Sequence, residues 1–134
     1  MRLLGIDYGE KRVGIALTDD KSLLAFPHSV VPNTKNLLRD VAEIARRSNI
    51  ETIVIGESKN NQGKDNRIMD EIRPFAVEIA KLGYNVVFEP EFLTSHQASH
   101  FLGKTAKTDA SAASIILQSY IDRIRHQGMN DRLF

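Results

Sequence analysis

Two apolar runs separated by a turn open the chain and limit its possible folds more than any other stretch. Leu3-Leu4-Gly5-Ile6 and Val13-Gly14-Ile15-Ala16-Leu17 stand on either side of the segment Asp7 to Arg12. Each run is apolar on both of its pleat faces, which places it centrally in a sheet covered from both sides. Gly9 marks a tight turn between them, so residues 2–7 and 12–18 are expected to pair as a hairpin. One carboxylate, Asp7, sits where the first strand runs out into that turn. Ala25 to Val31, closed by Pro32, reads as a third strand, and the short connections make the three an antiparallel meander.

From Thr34 the hydrophobic period changes. Leu37, Leu38, Val41, Ile44 and Ala45 recur at helical spacing behind a cap at Asn33 or Thr34. Thr52-Ile53-Val54-Ile55-Gly56 follows, a β-branched run of the length of a buried parallel strand, reached by a right-handed crossover. Glu57 to Asn66 is polar and without period, a loop of the kind that is functional or mobile. A second helix has Ile68, Met69, Ile72, Phe75, Ala76, Ile79 and Ala80 facing inward and Gly83 as its stop, with a kink or break expected at Pro74. Asn85 to Phe88 is a fifth strand. Thr94-Ser95-His96-Gln97 has the capping-box form and predicts a short helix through Leu102. Lys104 to Thr108 reads as a basic connector, and a last helix is expected from about Asp109 to His126, before a loose tail. Its expected buried face is Ala112, Ala113, Ile116, Leu117, Tyr120, Ile121 and Ile124. This order predicts an α/β fold of ribonuclease-H-like architecture. Its five-stranded mixed sheet has an antiparallel three-strand meander plus two parallel strands, flanked by helices.

The 134 residues are enough for a single domain, 1–134, with its own core. With 26% charged residues and a net charge of +1, the balance neither requires nor excludes a nucleic-acid partner. The chain has no cysteine, so any metal must be held by carboxylate or imidazole. No apolar run approaches the ~20 residues that span a bilayer, and the first strand begins without a charged leader. A cytoplasmic protein with no membrane partner is the expectation.

The acids then fall into a pattern. In the expected topology Asp7 ends the first, central strand, and the strands ending near Gly56 and Phe88 finish on the same edge, where α/β folds place their sites. Glu57, Glu89 and Glu91 lie there, and Asp109 opens the last helix, where the dipole favours negative charge. Acids from several elements meeting at one edge repel one another unless a cation joins them. Mg²⁺ or Mn²⁺ prefers such oxygen ligands, and two ions about 4 Å apart can clamp phosphodiester hydrolysis. Each acid also has a plain reading: Asp109 as a helix cap, Glu89 as a solvent-exposed strand end, Glu57 as the start of a loop. The pair His96 and His100 has helical spacing but no third partner for a zinc site.

The chain resembles the YqgF/RuvX family, Holliday-junction-resolvase-like proteins also described as pre-16S rRNA nucleases, over nearly its whole length. The resemblance is carried by Gly5-Ile6-Asp7-Tyr8-Gly9 with Lys11-Arg12-Val13-Gly14-Ile15-Ala16 and Thr18-Asp19. It continues in Asp109-Ala110-Ser111-Ala112-Ala113 with Ile115-Ile116-Leu117-Gln118-Ser119-Tyr120. Asn60 and Gly63 fit its loop after the fourth strand, and Leu93-Thr94 with Ala98 fits its segment after the fifth. The resemblance implies a ribonuclease-H-like fold and metal-dependent cleavage of structured nucleic acid by Asp7, the glutamate of an Asp-Glu-Arg triplet, and Asp109. Alignment on Leu93-Thr94 makes that glutamate Glu91, flanked by Pro90 and Phe92 in place of the Asp and the Arg; a shift of two residues offers Glu89 instead. Glu57, where the family has Gly-Leu-Pro, adds a further acid that can serve as an extra ligand.

The resulting expectation is an endonuclease using Mg²⁺ or Mn²⁺, with Asp7, Glu91 and Asp109 as its catalytic, metal-holding acids and Glu57 and Glu89 as additional ones. It would process the 5′ end of pre-16S rRNA in ribosome biogenesis, with Arg12, Lys59, Lys64, Lys104 and Lys107 as phosphate contacts. Pre-rRNA or branched DNA is the expected partner, together with the ribosome, and the chain is expected to act as a monomer or weak homodimer. The alternatives are a Holliday-junction resolvase, which would need paired active sites, and a nucleic-acid-binding protein of weakened catalysis. The Asp-x-Gly hairpin also resembles the first phosphate loop of sugar-kinase, actin and chaperone ATPases, which need two such lobes.

Overall fold

The computed structural model describes residues 2–19, 21, 24–90 and 106–132, with the backbone alone for 106–109 and 128–132. The expected hairpin is there: β1 (Arg2–Tyr8) and β2 (Arg12–Thr18) pair antiparallel from Leu4–Leu17 to Tyr8–Val13. β3 (Ala25–Pro32) completes the meander at the edge of the sheet. It extends one residue beyond expectation, through Pro32, because an edge strand has one row of amides that need no partner. A bulge in β3 opposite Ile15 and Ala16 of β2 pairs these with Ser29 and Pro27 and leaves His28 as the extra residue. β4 (Ile50–Glu57) lies parallel to β1, and β5 (Asn85–Pro90) parallel to β4. The sheet order is β3-β2-β1-β4-β5.

Alternation along these strands feeds two separate cores. Leu4, Ile6, Ile53 and Ile55 pack with Leu37, Val41 and Ala45 of α1 (Leu37–Arg47) and Met69, Ile72 and Ile79 of α2 (Met69–Lys81). On the other face Leu3, Ala16 and Val54 pack with Ala113, Ile116, Leu117 and Ile121 of α3 (Ala106–Arg132). Gly5 allows that second contact. A Cβ there would meet Leu117 Cβ at 2.8 Å and the Ala113 carbonyl at 3.0 Å, so a bare backbone lets α3 close directly on β1.

Several element ends differ from expectation. α1 is preceded by Asn36 rather than capped by Asn33 or Thr34; Thr34 makes a turn of its own, its Oγ1 accepting from the Asn36 amide at 3.1 Å. The helix is stopped by Asn49, which takes the left-handed conformation at φ 54° that asparagine tolerates. α2 runs through Pro74 as one helix without a break, and Gly83 follows it at φ 102° as expected of a stop. α3 is longer than expected at both ends. Lys107 and Thr108 are helical rather than connector, and the tail through Arg132 continues the helix, because Gly128 costs only about 1 kcal/mol in a helix interior. Ile124, expected inward, faces solvent. The short helix expected over 94–102 lies outside the described residues. None of the described helices is long and apolar enough to cross a membrane.

Candidate functional site

The carboxyl ends of β1, β4 and β5 form one edge, and Asp7 sits at its centre. Asp7 pairs with Gly14 of β2. Across the parallel side, Ile6 pairs with Ile55 and Gly56 with Glu89. One step beyond the Ile6–Ile55 pair, Asp7, Gly56 and Glu89 therefore form a row on the face covered by α3. The two acids are two strand spacings apart, about 10 Å between backbones, with no side chain between them.

The turn after Asp7 is tightly fixed. The Gly9 amide donates to the Arg12 carbonyl at 3.0 Å, and a Cβ on Gly9 would meet that same oxygen at 2.5 Å. Asn33 is a clamp on this turn rather than a helix cap: its Nδ2 donates to the Gly9 carbonyl at 2.7 Å and its amide to the Lys11 carbonyl at 2.9 Å. Strand β3 thus ends by holding the residues that follow the acid. Arg12 begins β2 at the same edge and is exposed.

On the α2 side of the edge lies a lattice of four charges. Lys59 Nζ is 2.7 Å from Asp65 Oδ1 and 3.7 Å from Glu57 Oε1. Arg73 Nη2 is 2.7 Å from Asp65 Oδ2 and 3.4 Å from Glu57 Oε2, and its guanidinium lies 5.4 Å from the centre of the Phe88 ring. The hydrogen bond from Lys59, then that from Arg73, holds the Asp65 carboxyl below its ordinary value. The same bond to Asp65 raises Lys59, and Arg73 is raised in the same way. Glu57, expected as an extra ligand, is thereby matched by two cations. Lys59, expected on phosphate, is held among carboxylates.

The loop from Ser58 to Asn66 is more ordered than its composition suggests. Lys59 and Asp65 form a β-bridge, and Asn60 Oδ1 accepts from the amides of Gln62 and Lys64 at 2.8 and 3.0 Å. Gly63 takes φ 79° at its tip. Asn66 Nδ2 donates to Ser58 Oγ at 2.9 Å, closing the base of the loop. Asn60 followed by Gly63 is a turn signature from which the closure can be anticipated. Lys64 is exposed near the tip.

Glu89 departs from its plain reading as an exposed strand end. It is buried, and both carboxylate oxygens are occupied. Arg123 donates to Oε1 from Nη2 at 2.6 Å and from Nε at 3.1 Å, and Ser119 Oγ donates to Oε2 at 3.0 Å. Nothing in the sequence near Glu89 signals these partners, which lie 30 and 34 residues away.

Glu91 and Lys104 lie outside the described residues, as do the side chains of Asp109 and Lys107. The backbone of Asp109 stands in the first turn of α3, one helical turn before Ala113, whose carbonyl approaches Gly5. Among the described residues no three carboxylates or imidazoles gather closely enough to hold a metal. By donor chemistry Glu57 and Glu89 do not fit a bound cation, since each is already matched by a guanidinium. A hard divalent ion takes carboxylate oxygens, and Asp7 brings one such side chain to this edge.

Comparison with known proteins places this geometry. A family model described as RuvX, Holliday junction resolvase, matches residues 1–123. A protein of Syntrophus aciditrophicus named "Putative pre-16S rRNA nuclease" is 35% identical, over 95% of this chain and 92% of its own. One of the same name from Caldanaerobacter subterraneus is 36% identical, over 91% and 96%. Among solved structures, T. thermophilus RuvC in complex with Holliday junction substrate superposes with a TM-score of 0.57 at 18% identity, covering 92% of this chain and 96% of that one. The Fowlpox virus resolvase with its Holliday junction DNA gives 0.56 at 18%, covering 92% and 99%. At such identities the likeness is one of fold, and the fold is ribonuclease-H-like.

Proposed function

Since the chain belongs to the RuvX family, we propose that it is a divalent-metal-dependent endonuclease that processes the 5′ end of pre-16S rRNA. The observation that carries this is the placement of Asp7. It stands at the carboxyl end of the central strand, before a turn fixed by Gly9 and Asn33. Names borne by the relatives at about 35% identity favour precursor RNA as the substrate.

In this reading Asp7, Glu91 and Asp109 hold Mg²⁺ or Mn²⁺. When bound, the ion neutralises phosphate charge and makes a water acidic enough to attack at neutral pH. Water adds at phosphorus and the ribose oxygen leaves with a proton, giving one phosphate monoester and one hydroxyl end, with no covalent enzyme intermediate. The chain's own contribution is placement. Asn33 and Gly9 keep the Asp7 backbone from shifting, and Gly5 seats close on β1 the helix whose first turn carries Asp109. Arg12, Lys64, Lys104 and Lys107 orient the phosphate backbone, while Lys59 and Arg73 hold the loop beside it.

Cleavage of precursor RNA is expected to disappear in chelator and to fall about a hundredfold or more in Asp7→Asn, with circular dichroism unchanged. Activity that survives both treatments refutes the mechanism. The family model's description favours a second reading, cleavage of four-way DNA junctions. Parallel assays on precursor RNA and a synthetic junction separate the two.

A further inference from the structure

Glu89 is the one charged side chain buried among the described residues, and the reading above gives it no role at the cation. Burying a carboxylate is costly unless its lone pairs find donors. Here three donor atoms meet it, and all come from one face of α3, where Ser119 and Arg123 are one turn apart. The arrangement joins the end of β5 to the last helix in the same row as Asp7. Glu91 follows Glu89 by two residues in the chain, and Asp109 belongs to the same helix as Ser119 and Arg123.

α3 is also seated on β1 through Gly5 and tied to β3, where Gln118 Oε1 accepts from the Ala25 amide at 2.8 Å. Apolar packing of α3 from Ala113 to Ile121 is non-directional and leaves the helix freedom to roll and tilt. The Glu89 contact removes that freedom on the β5 side, and it does so with charge-assisted bonds, which are short and directional. We propose that Glu89, Ser119 and Arg123 form a positioning clamp that fixes the rotation of α3 against β5 and so spaces the acids of the cation site. The proposal rests on the three-acid reading above. None of the three clamp residues is assigned to substrate or cation; they act through Glu91 and Asp109, as outer residues commonly tune metal ligands.

The test is Mn²⁺ binding by calorimetry on the full chain, well below the melting temperature, for Arg123→Lys, Ser119→Ala and Asp7→Asn. Arg123→Lys keeps the charge but loses the fork, and its Mn²⁺ affinity is expected to fall about tenfold with circular dichroism unchanged. The Mg²⁺ concentration for half-maximal cleavage should rise in proportion, while cleavage at saturating Mg²⁺ falls less. Ser119→Ala is expected to lose about threefold in Mn²⁺ affinity. A folded Arg123→Lys that binds Mn²⁺ within about twofold of the parent overturns the clamp. If Arg123→Lys does not fold, Ser119→Ala decides by the same criterion. Asp7→Asn should bind no Mn²⁺ even if the clamp is wrong; parent-like binding by Asp7→Asn refutes the three-acid site itself, and the clamp with it.

Discussion

On the α2 side of the sheet edge, Glu57, Lys59, Asp65 and Arg73 share their charges at the surface. On the α3 side, Glu89 is buried and shares its charge with Arg123 and Ser119, which reach it from the surface. The first group is redundant: each acid meets both cations and each cation meets both acids, so loss of one member leaves the others partnered. The second has less reserve, because removing Arg123 leaves a buried carboxylate with the Ser119 hydroxyl and no second cation among the described residues. Similar chemistry therefore does different work. The surface lattice ties down a loop, whereas the buried set fixes how a whole helix sits.

The largest expected effect tests the buried side. Arg123→Ala leaves the buried Glu89 with the Ser119 hydroxyl but no cation, and urea unfolding should show a loss of about 2 kcal/mol, below that of a fully buried pair because Arg123 is half exposed. Replacing both members, in Glu89→Leu with Arg123→Leu, should restore most of that stability, since an apolar pair avoids the desolvation cost. A double variant as unstable as the single one would break the contrast.

A smaller effect is expected of Arg73→Ala. Lys59 still holds both acids, so thermal melting should move much less than in Arg123→Ala, and high salt should reduce the difference further.

The smallest effect is one of pH. Asp65 is held below its ordinary value of 3.8, so its contribution is present above that pH and is lost as pH falls through its lowered value. Lys59 is held above its ordinary 10.5, so its contribution is present below that pH and is lost as pH rises through its raised value. Backbone amide signals of Asn60, Gln62 and Lys64 should stay flat between those limits and shift only outside them. A transition near neutrality would contradict the lattice.

Much of this could be read from local pattern. The β1–β2 hairpin, the change of period at Thr34 and the parallel β4 follow from residues close in the chain, and they sufficed to bring Asp7 to the carboxyl edge. Helix ends were less legible. Asn49 stops α1 through a backbone conformation that asparagine only sometimes takes, and α3 runs on through Gly128 because a single glycine is a weak stop. Least legible were the partners. Glu57 and Glu89 look alike in sequence as strand-end acids; what separates them is Lys59 and Arg73 at the surface against Arg123, 34 residues away, on a buried carboxylate.

Asn33 has a consequence for the order of assembly. Its bond to Gly9 closes a loop of 24 residues, so the turn that follows Asp7 draws only on the first quarter of the chain. The other acids proposed for the cation arrive at positions 91 and 109, the second of them on α3, whose seat on β1 joins Gly5 to Leu117. A chain emerging from synthesis thus shapes the first acid's cradle early and lacks the complete set until its last helix docks.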